Sequence, residues 1–176
     1  MINFYSQVKS KNQSYNPNFS KHGIQVPFRI LIVGSSGSMK TNTALNILKQ
    51  MNGTFEKLIV CCKSKEEALY NLLEKKLKDG IKFYENGIVP PIDEFSGKEQ
   101  VCIIFDDLMT LKNQNSIVEY FIRGRKKKIS CMYLTQSYYK CPKTIRLNCN
   151  YIILKKLVFN YITLHIKGII FIKPCY

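Results

Sequence analysis

The feature that most constrains the fold of this chain is the stretch at residues 28–41, which has the sequence FRILIVGSSGSMKT. Apart from Arg29, the stretch begins as an apolar run that predicts a buried strand, and the run ends in a loop of glycine and serine. Lys40 and Thr41 follow the loop, where a helix is predicted to begin. This order predicts a phosphate-binding loop, because the loop N–H groups and the positive end of the helix dipole attract anions.

The spacing of Gly34, Lys40 and Thr41 fits the pattern G-x-x-x-x-G-K-[ST], but Met39 stands where the second glycine is expected. A glycine at that place often takes positive φ, which costs a residue with a Cβ roughly 1–2 kcal/mol. Met39 therefore predicts weakened nucleotide binding and bears more on catalysis than on fold. The predicted nucleotide-binding residues are Gly34, Ser35, Ser36, Gly37, Ser38, Met39, Lys40 and Thr41.

The rest of the chain predicts one α/β domain, since 176 residues suffice for a single core. Apolar runs predict strands at residues 28–33, 57–62, 81–84, 101–105, 129–135 and 151–154. Helical periodicity predicts helices at 39–51, from Ser64 onward, and at 113–123, with a short helical turn from Pro142. Alternating strands and helices indicate a mostly parallel sheet with helices on both faces.

Two of these helices carry further predictions about their ends and faces. Ser64 and Glu67 fit a capping box, which predicts that the helix starts beside Ser64. The residues predicted to face the core are Leu69, Leu72, Leu73 and Leu77 in that helix, and Ile117, Val118, Phe121 and Ile122 in the helix at 113–123.

An acidic pair follows the apolar run at 101–105. Asp106 and Asp107 are expected at the carboxyl edge of the sheet, where ligands of open α/β sheets bind. In a nucleotide site Thr41 and Asp106 would hold Mg²⁺, and Asp107 would orient or deprotonate the attacking water. Gln136, at the end of the next strand, would sense the γ-phosphate, and Lys40 would reach the β- and γ-phosphates. The plainer interpretation of the acidic pair is a helix cap.

The chain is strongly basic, with 27 Lys and Arg against 12 Asp and Glu and a net charge of +15. Such a balance favours polyanionic partners, nucleic acid first among them. A merely lysine-rich solvated surface is the open alternative, and for the run RGRKKK at 123–128 so are a solvated turn and a nuclear-localisation signal. The residues predicted to bind nucleic acid are Arg123, Arg125, Lys126, Lys127, Lys128, Lys143 and Arg146.

The chain divides into three parts on the sequence: an N-terminal extension at 1–26, a core at 27–154, and a tail at 155–176. The tail is expected to be a β-hairpin, with strands at 157–164 and 168–172, or a truncated end. Lys167 interrupts its apolar residues, so no membrane span is expected. Seven cysteines lack metal-ligand spacing, which predicts neither zinc nor disulfides, and no signal peptide is evident, so secretion is not expected.

Four motifs together resemble the poxvirus-type genome-packaging ATPases of the FtsK–HerA superfamily. The resemblance covers residues 27–41, 103–107, 124–138 and 142–154, which is most of the chain to about residue 154. The motif positions outside the glycine loop are Asp106, Asp107, Gly124, Arg125, Ser130, Gln136, Arg146 and Asn148. Two positions depart from the family pattern, since Met39 replaces a glycine and Lys126 replaces a frequent histidine.

The resemblance implies a RecA-like P-loop NTPase of the ASCE type. It implies an oligomeric ring that uses ATP and Mg²⁺ to push double-stranded DNA into a capsid, with a capsid or portal component as partner. Arg125, or else Arg123, would complete the active site of a neighbouring subunit. The expected location is the host cytoplasm or nucleus, at the site of viral assembly, or the virion.

Two other functions stay open on the sequence. One is a catalytically impaired P-loop protein that binds nucleic acid or assists assembly, which Met39 favours. The other is a small-molecule kinase, but the sequence has no evident lid segment or acceptor pocket, and such an enzyme predicts no basic surface.

Overall fold

A computed structural model of the chain describes residues 14–155, 157–159 and 162–164. The helices are α1 (Phe19–His22), α2 (Lys40–Gln50), α3 (Ala68–Leu77), α4 (Asn115–Arg123) and α5 (Lys143–Asn148). The strands are β1 (Arg29–Val33), β2 (Lys57–Cys61), β3 (Ile81–Tyr84), β4 (Val101–Asp106), β5 (Ile129–Thr135), β6 (Tyr151–Leu154), β7 (Leu157–Phe159) and β8 (Ile162–Leu164). Short 3₁₀ turns occupy Lys78–Gly80, Ile92–Glu94, Leu108–Thr110 and Gly124–Lys127.

The first six strands form one parallel sheet in the order β3-β2-β4-β5-β1-β6. Strand β5 therefore lies between the strand that precedes the glycine loop and the strand that precedes the acidic pair. All six strands point the same way, so their carboxyl ends share one edge of the sheet. The prediction of a parallel α/β sheet is confirmed.

Helices cover both faces of the sheet. The side chains of α2 and α3 pack with the outward residues of β1 and β4 in one apolar cluster, which includes Ala44, Ile47 and Tyr70. The side chains of α4 and α5 pack in a second cluster on the opposite face, which includes Ile117 and Ile145. Residues on both sides of β4 and β5 are buried, which explains why these strands are continuously apolar.

The ends and faces of two helices differ from the sequence prediction. Helix α3 begins at Ala68, and the Ser64 hydroxyl instead accepts a hydrogen bond from the Glu66 N–H at 3.2 Å, so the capping box is wrong. Leu72 and Leu77 are 47% and 43% exposed, because Tyr70 provides the buried contact of this helix. In α4, likewise, Tyr120 is buried whereas Ile122 is 54% exposed.

The described part of the N-terminal segment packs on the amino edge of the sheet. Gln100, just before β4, donates to the Tyr15 carbonyl at 2.9 Å and accepts from the Tyr15 N–H at 2.7 Å. Ile24 is only 3% exposed. These contacts join the segment to the end of the sheet opposite the glycine loop.

The tail begins with the antiparallel pair β7 and β8. The single strand predicted over 157–164 is thus wrong, since the chain reverses between Phe159 and Ile162. The predicted strand at 168–172 lies outside the described residues. Within the described ranges, none of the helices is both long and apolar enough to cross a bilayer.

Candidate nucleotide-binding site

The glycine loop connects β1 to α2 and has little spare room. The Gly34 N–H donates to the Thr135 carbonyl at 3.1 Å, which ties the start of the loop to the end of β5. A Cβ at Gly34 would lie 2.4 Å from Ser38 Oγ and 2.7 Å from Lys155 Cβ, so only glycine fits there. Gly37 has φ of +71°, and the Ser38 hydroxyl is buried without a partner among the described residues. The loop thus has the tight turn and the unpaired polar atom expected of a phosphate cradle.

Met39 adopts the left-handed conformation predicted for a glycine at this position. Its φ is 63° and its ψ is 39°, and its side chain is 62% exposed. The Met39 carbonyl accepts from both the backbone N–H and the hydroxyl of Thr43, at 3.0 and 2.9 Å, which fixes this geometry at the start of α2. The loop therefore keeps the shape that glycine would give it, with strain in the backbone at Met39.

Lys40 and Thr41 open helix α2 and face the loop and the acidic pair. The Lys40 ammonium donates to the Ser35 carbonyl at 3.2 Å, so its charge lies over the loop. The Thr41 hydroxyl donates to Asp106 Oδ2 at 3.3 Å. A hydroxyl and a carboxylate held together in this way are the oxygen ligands that Mg²⁺ takes beside nucleotide phosphates, so the residues fit this metal.

Asp106 is the most buried acidic residue of the site, at 8% exposure. Burial raises the pKa of its carboxyl, the hydrogen bonds from Tyr70 and Thr41 lower it, and the nearby charge of Asp107 raises it again. The net direction is upward. Buried carboxyl groups with a shifted pKa are common at functional sites.

Asp107 and Gln136 are hydrogen-bonded to each other at the carboxyl edge of the sheet. Gln136 Nε2 donates to Asp107 Oδ2 at 3.0 Å, and Asp107 Oδ1 is buried without a partner among the described residues. Asp107 has φ of 52°, a left-handed conformation that aspartate adopts more readily than most residues with a side chain.

A cavity of about 650 Å³ joins these residues, and its size suits a nucleotide. Sequence reasoning missed one wall of it, formed by the segment from β2 to α3 and including Cys62, Glu66, Glu67 and Tyr70. Burial and the charge of Asp106 raise the pKa of Glu67, which Lys40 opposes. Burial raises the pKa of Cys62 to about 11, so its thiol stays neutral. The one sequence signal for this wall was that the segment follows the second predicted strand, at the carboxyl edge of the sheet where ligands bind.

Six of the seven cysteines fall within the part of the chain that the structure describes. These six are free and buried. Two of the residues named in the sequence motifs have structural contacts instead: the Ser130 hydroxyl accepts from the Phe28 N–H at 3.2 Å, and the Asn148 amide donates to the Thr144 carbonyl at 2.8 Å.

The basic run at 123–128 lies at the amino end of β5, away from the cavity. Strand β5 has seven residues and so spans about 20 Å, at about 3.3 Å per residue. Arg125 and Lys126 are exposed there, and they have no side-chain partner among the described residues. Arg125 is therefore on the opposite edge of the sheet from Lys40 and is too far to reach the cavity of its own chain.

Other residues of the predicted nucleic-acid set have intramolecular partners. Arg123 and Lys127 both pair with Asp93, at 2.9 and 3.2 Å. Lys128 donates to the Lys98 carbonyl at 3.3 Å. These exposed contacts are weak, so they reduce the availability of the basic groups without excluding another partner.

The two predicted basic residues of α5 differ from each other. Lys143 is exposed at the first position of the helix. Arg146 is half-buried, donates to the Cys141 carbonyl at 3.1 Å, and stacks over the Tyr138 ring at 4.7 Å. Arg146 is thus held by its own domain, whereas Lys143 is free to meet solvent.

Comparisons with known proteins agree with the fold. The family model described as poxvirus A32 protein matches residues 17–164. The genome packaging NTPase B204 from Sulfolobus turreted icosahedral virus 2, solved in complex with AMPPCP, superposes with a TM-score of 0.54 at 16% identity, covering 74% of this chain and 75% of that chain. No curated protein matches the chain.

Two further ATPases, EccC and EssC, have the same fold. EccC (ATPases 2 and 3) from Thermomonospora curvata gives a TM-score of 0.55 at 14% identity, covering 74% of this chain and 31% of that one. EssC (ATPases 2 and 3) from Geobacillus thermodenitrificans gives 0.53 at 10% identity, covering 77% and 33%. The chain thus spans about a third of these relatives. At such identities the likeness establishes the fold, which is that of P-loop ATPases.

Proposed function

Because this chain belongs to the poxvirus A32 protein family, we propose that it is an ATPase motor that moves double-stranded DNA into a capsid. The observation that carries the proposal is the approach of the two nucleotide motifs, with Thr41 Oγ1 3.3 Å from Asp106 Oδ2 beside the loop that holds Lys40. The packaging NTPase B204, a structural relative, was solved with an ATP analogue, which supports nucleotide binding by this fold.

The residues around the cavity divide the work of ATP hydrolysis. When a nucleotide binds, the Lys40 ammonium leaves the Ser35 carbonyl and contacts the phosphates. It prefers the phosphates because they carry a full negative charge, whereas a carbonyl is only a dipole. The loop N–H groups bind the phosphates directly. Thr41 and Asp106 would hold Mg²⁺, which when bound supplies neutralising charge at the β- and γ-phosphate oxygens.

Asp107 and Gln136 act on the attacking water. Their mutual hydrogen bond at 3.0 Å occupies Oδ2 of Asp107, and Oδ1 is buried without a partner among the described residues. Gln136 is exposed at the end of its strand, so it can turn from Asp107 to a γ-phosphate oxygen. Asp107 then orients the water and accepts its proton.

Arg125 is proposed to act on a neighbouring subunit. It is exposed at the edge of the sheet opposite its own cavity, so it can serve only the site of another copy. A head-to-tail contact of this kind generates a ring if the rotation closes. We therefore propose a homo-oligomeric ring at the site of viral assembly, in the host cytoplasm or nucleus or in the virion, docked to a capsid or portal component.

DNA is proposed to bind through its phosphates. The exposed side chains of Arg125, Lys126 and Lys143 lack acidic partners among the described residues, and the net charge of the chain is +15. Binding through phosphates is insensitive to sequence and weakens steeply with salt.

The test is ATP hydrolysis by the purified chain, with and without duplex DNA. We expect Mg²⁺-dependent hydrolysis that Lys40→Ala abolishes. Lys49→Ala is the matched control, because Lys49 lies exposed in the last turn of the same helix. Activity that survives Lys40→Ala unchanged would contradict the proposal.

A catalytically impaired assembly factor is the second candidate, and the left-handed backbone of Met39 favours it. This candidate predicts DNA binding without hydrolysis. A large gain in hydrolysis in Met39→Gly would identify an impaired motor, whereas the absence of nucleotide binding in both forms would favour the assembly role.

A further inference from the structure

We propose that Tyr70 is a positioning residue, which holds the Asp106 carboxylate in the orientation that a Mg²⁺–nucleotide complex requires. The proposal rests on the nucleotide site proposed above. It assigns a function to the wall of the cavity that the known motifs do not include.

The position of the Tyr70 hydroxyl is set by packing. Tyr70 lies in the first turn of α3, where its N–H donates to the Glu67 carbonyl at 2.9 Å, and its side chain is 1% exposed. Its ring packs against Phe83 of β3, with 5.4 Å between the ring centroids. The ring is thus held by the sheet and the helix, so the hydroxyl has a fixed location.

The hydroxyl meets the carboxylate that also receives Thr41. Tyr70 donates to Asp106 Oδ2, the same oxygen that accepts from the Thr41 hydroxyl. A carboxylate oxygen is only an acceptor, so the phenol hydroxyl is the donor in this contact. Two donors on one oxygen fix the rotation of the carboxylate about its Cβ–Cγ bond.

The two donors are not equivalent when a nucleotide is present. Thr41 is itself a proposed ligand of Mg²⁺, so its oxygen has a second function. Tyr70 is not among the proposed ligands, because its hydroxyl donates its proton to Asp106 and its ring is held against Phe83. Tyr70 is therefore the donor that keeps the carboxylate in place in both states, as the partners of metal ligands generally do.

It follows that binding of Mg²⁺ in this site depends on helix α3, whereas binding of the phosphates does not. The phosphate contacts come from the loop and from Lys40, which belong to β1 and α2. Removing the Tyr70 hydroxyl should therefore weaken the effect of Mg²⁺ on nucleotide binding much more than it weakens binding without metal.

The test uses the full chain, a non-hydrolysable fluorescent ATP analogue, and a titration with Mg²⁺. In Tyr70→Phe the ring keeps its contact with Phe83, and only the hydroxyl is lost. We expect the apparent affinity for Mg²⁺ to fall by about tenfold or more, the range seen when partners of metal ligands are removed. The affinity for the analogue in EDTA should change several-fold less.

Tyr120→Phe is the matched control. Tyr120 is also fully buried, and its hydroxyl donates to the Pro90 carbonyl at 2.6 Å on the opposite face of the sheet. This variant loses a buried hydrogen bond without touching the site, so it should melt at a lower temperature with an unchanged Mg²⁺ titration.

Three outcomes would overturn the inference, and they separate it from the proposed function. If wild-type protein binds the analogue with a Mg²⁺ dependence that Tyr70→Phe leaves intact, the positioning role alone is wrong. If Tyr120→Phe shifts the titration as much as Tyr70→Phe, the effect is one of stability and the role is again wrong. If wild-type protein binds no analogue with or without Mg²⁺, the proposed function fails together with the inference.

Discussion

The strain at Met39 gives a prediction with a defined sign and size. Met39 has φ of 63°, where a residue with a Cβ pays roughly 1–2 kcal/mol and glycine pays nothing. Glycine in turn loses more backbone entropy on folding, about 0.5–1 kcal/mol relative to alanine. Comparing Met39→Gly with Met39→Ala removes the contribution of the long side chain from the balance. We expect Met39→Gly to be the more stable of the two by about 0.5–1 kcal/mol.

The assay is thermal unfolding, where this difference corresponds to a midpoint shift on the order of 1–4 °C for a domain of this size. Lys49 is the control position, because it is exposed in the last turn of helix α2, where glycine is less stable than alanine by up to about 1 kcal/mol. The sign should therefore reverse between Met39 and Lys49. Gly37 has φ of +71°, and no atom lies within 4 Å of a Cβ added there. Gly37→Ala should therefore lower the stability of the folded state by about 0.5–1 kcal/mol, as alanine does relative to glycine at Met39.

Nucleotide affinity adds a second readout at the same position. The loop already has the left-handed geometry at Met39, so relief of about 1 kcal/mol of strain limits the change in affinity through loop shape to less than about tenfold. If Met39→Ala is at least as stable as Met39→Gly, the backbone argument is wrong. A much larger gain in affinity for glycine over alanine would mean that the loop changes shape on binding.

Three further predictions follow from other parts of the molecule. The pKa of Asp106 is raised in the folded state, so the folded protein keeps the Asp106 proton to a higher pH than the unfolded protein does. The free energy of unfolding therefore falls as the pH rises from about 4, the ordinary carboxyl pKa, through the folded pKa. Asp106→Asn should therefore raise the melting temperature at neutral pH, with a gain that shrinks in acid; an equal gain at all pH values would contradict this. Gly34→Ala should abolish nucleotide binding, measured by fluorescence titration, because the new Cβ would lie 2.4 Å from Ser38 Oγ; wild-type affinity would show that the loop can yield. The double variant of Arg125→Ala and Lys126→Ala should weaken duplex DNA binding uniformly across sequences. The slope of log affinity against log salt concentration should fall by about 2, since each phosphate contact contributes about 0.9 to that slope; an unchanged slope would place the contact elsewhere.

The predictable part of the fold was its sequence of strands. Residues such as those of β4 and β5 are apolar on both faces, and this pattern alone predicts strands of a covered parallel sheet. Helix faces were less predictable, as Leu72 and Ile122 show, because an aromatic residue nearby, Tyr70 or Tyr120, took the buried position. Which apolar residue of a helix faces the core depends on how the helix lies on the sheet, and the sequence does not state that.

The candidate site also has a part that the sequence predicted and a part that it did not. The motif spacing placed Lys40, Thr41 and Asp106 in one site, because a loop after one parallel strand and an acid after another must share an edge of the sheet. The spacing was silent about Tyr70, since nothing local in the sequence of α3 distinguishes it from a core tyrosine. Its hydroxyl meets Asp106 only because α3 packs on the face of the sheet beside β4.

The sequence by itself determined three local features of this protein: a glycine loop between a strand and a helix, an acidic pair after a buried strand, and an excess of positive charge. The tertiary structure decided which groups are available. In the folded chain Arg125 lies at the edge of the sheet opposite its own cavity, and Arg123 forms an ion pair with Asp93. The physical reason is that turns, strands and charge are encoded in neighbouring residues, whereas contacts between distant residues depend on strand order and on the packing of helices across the sheet.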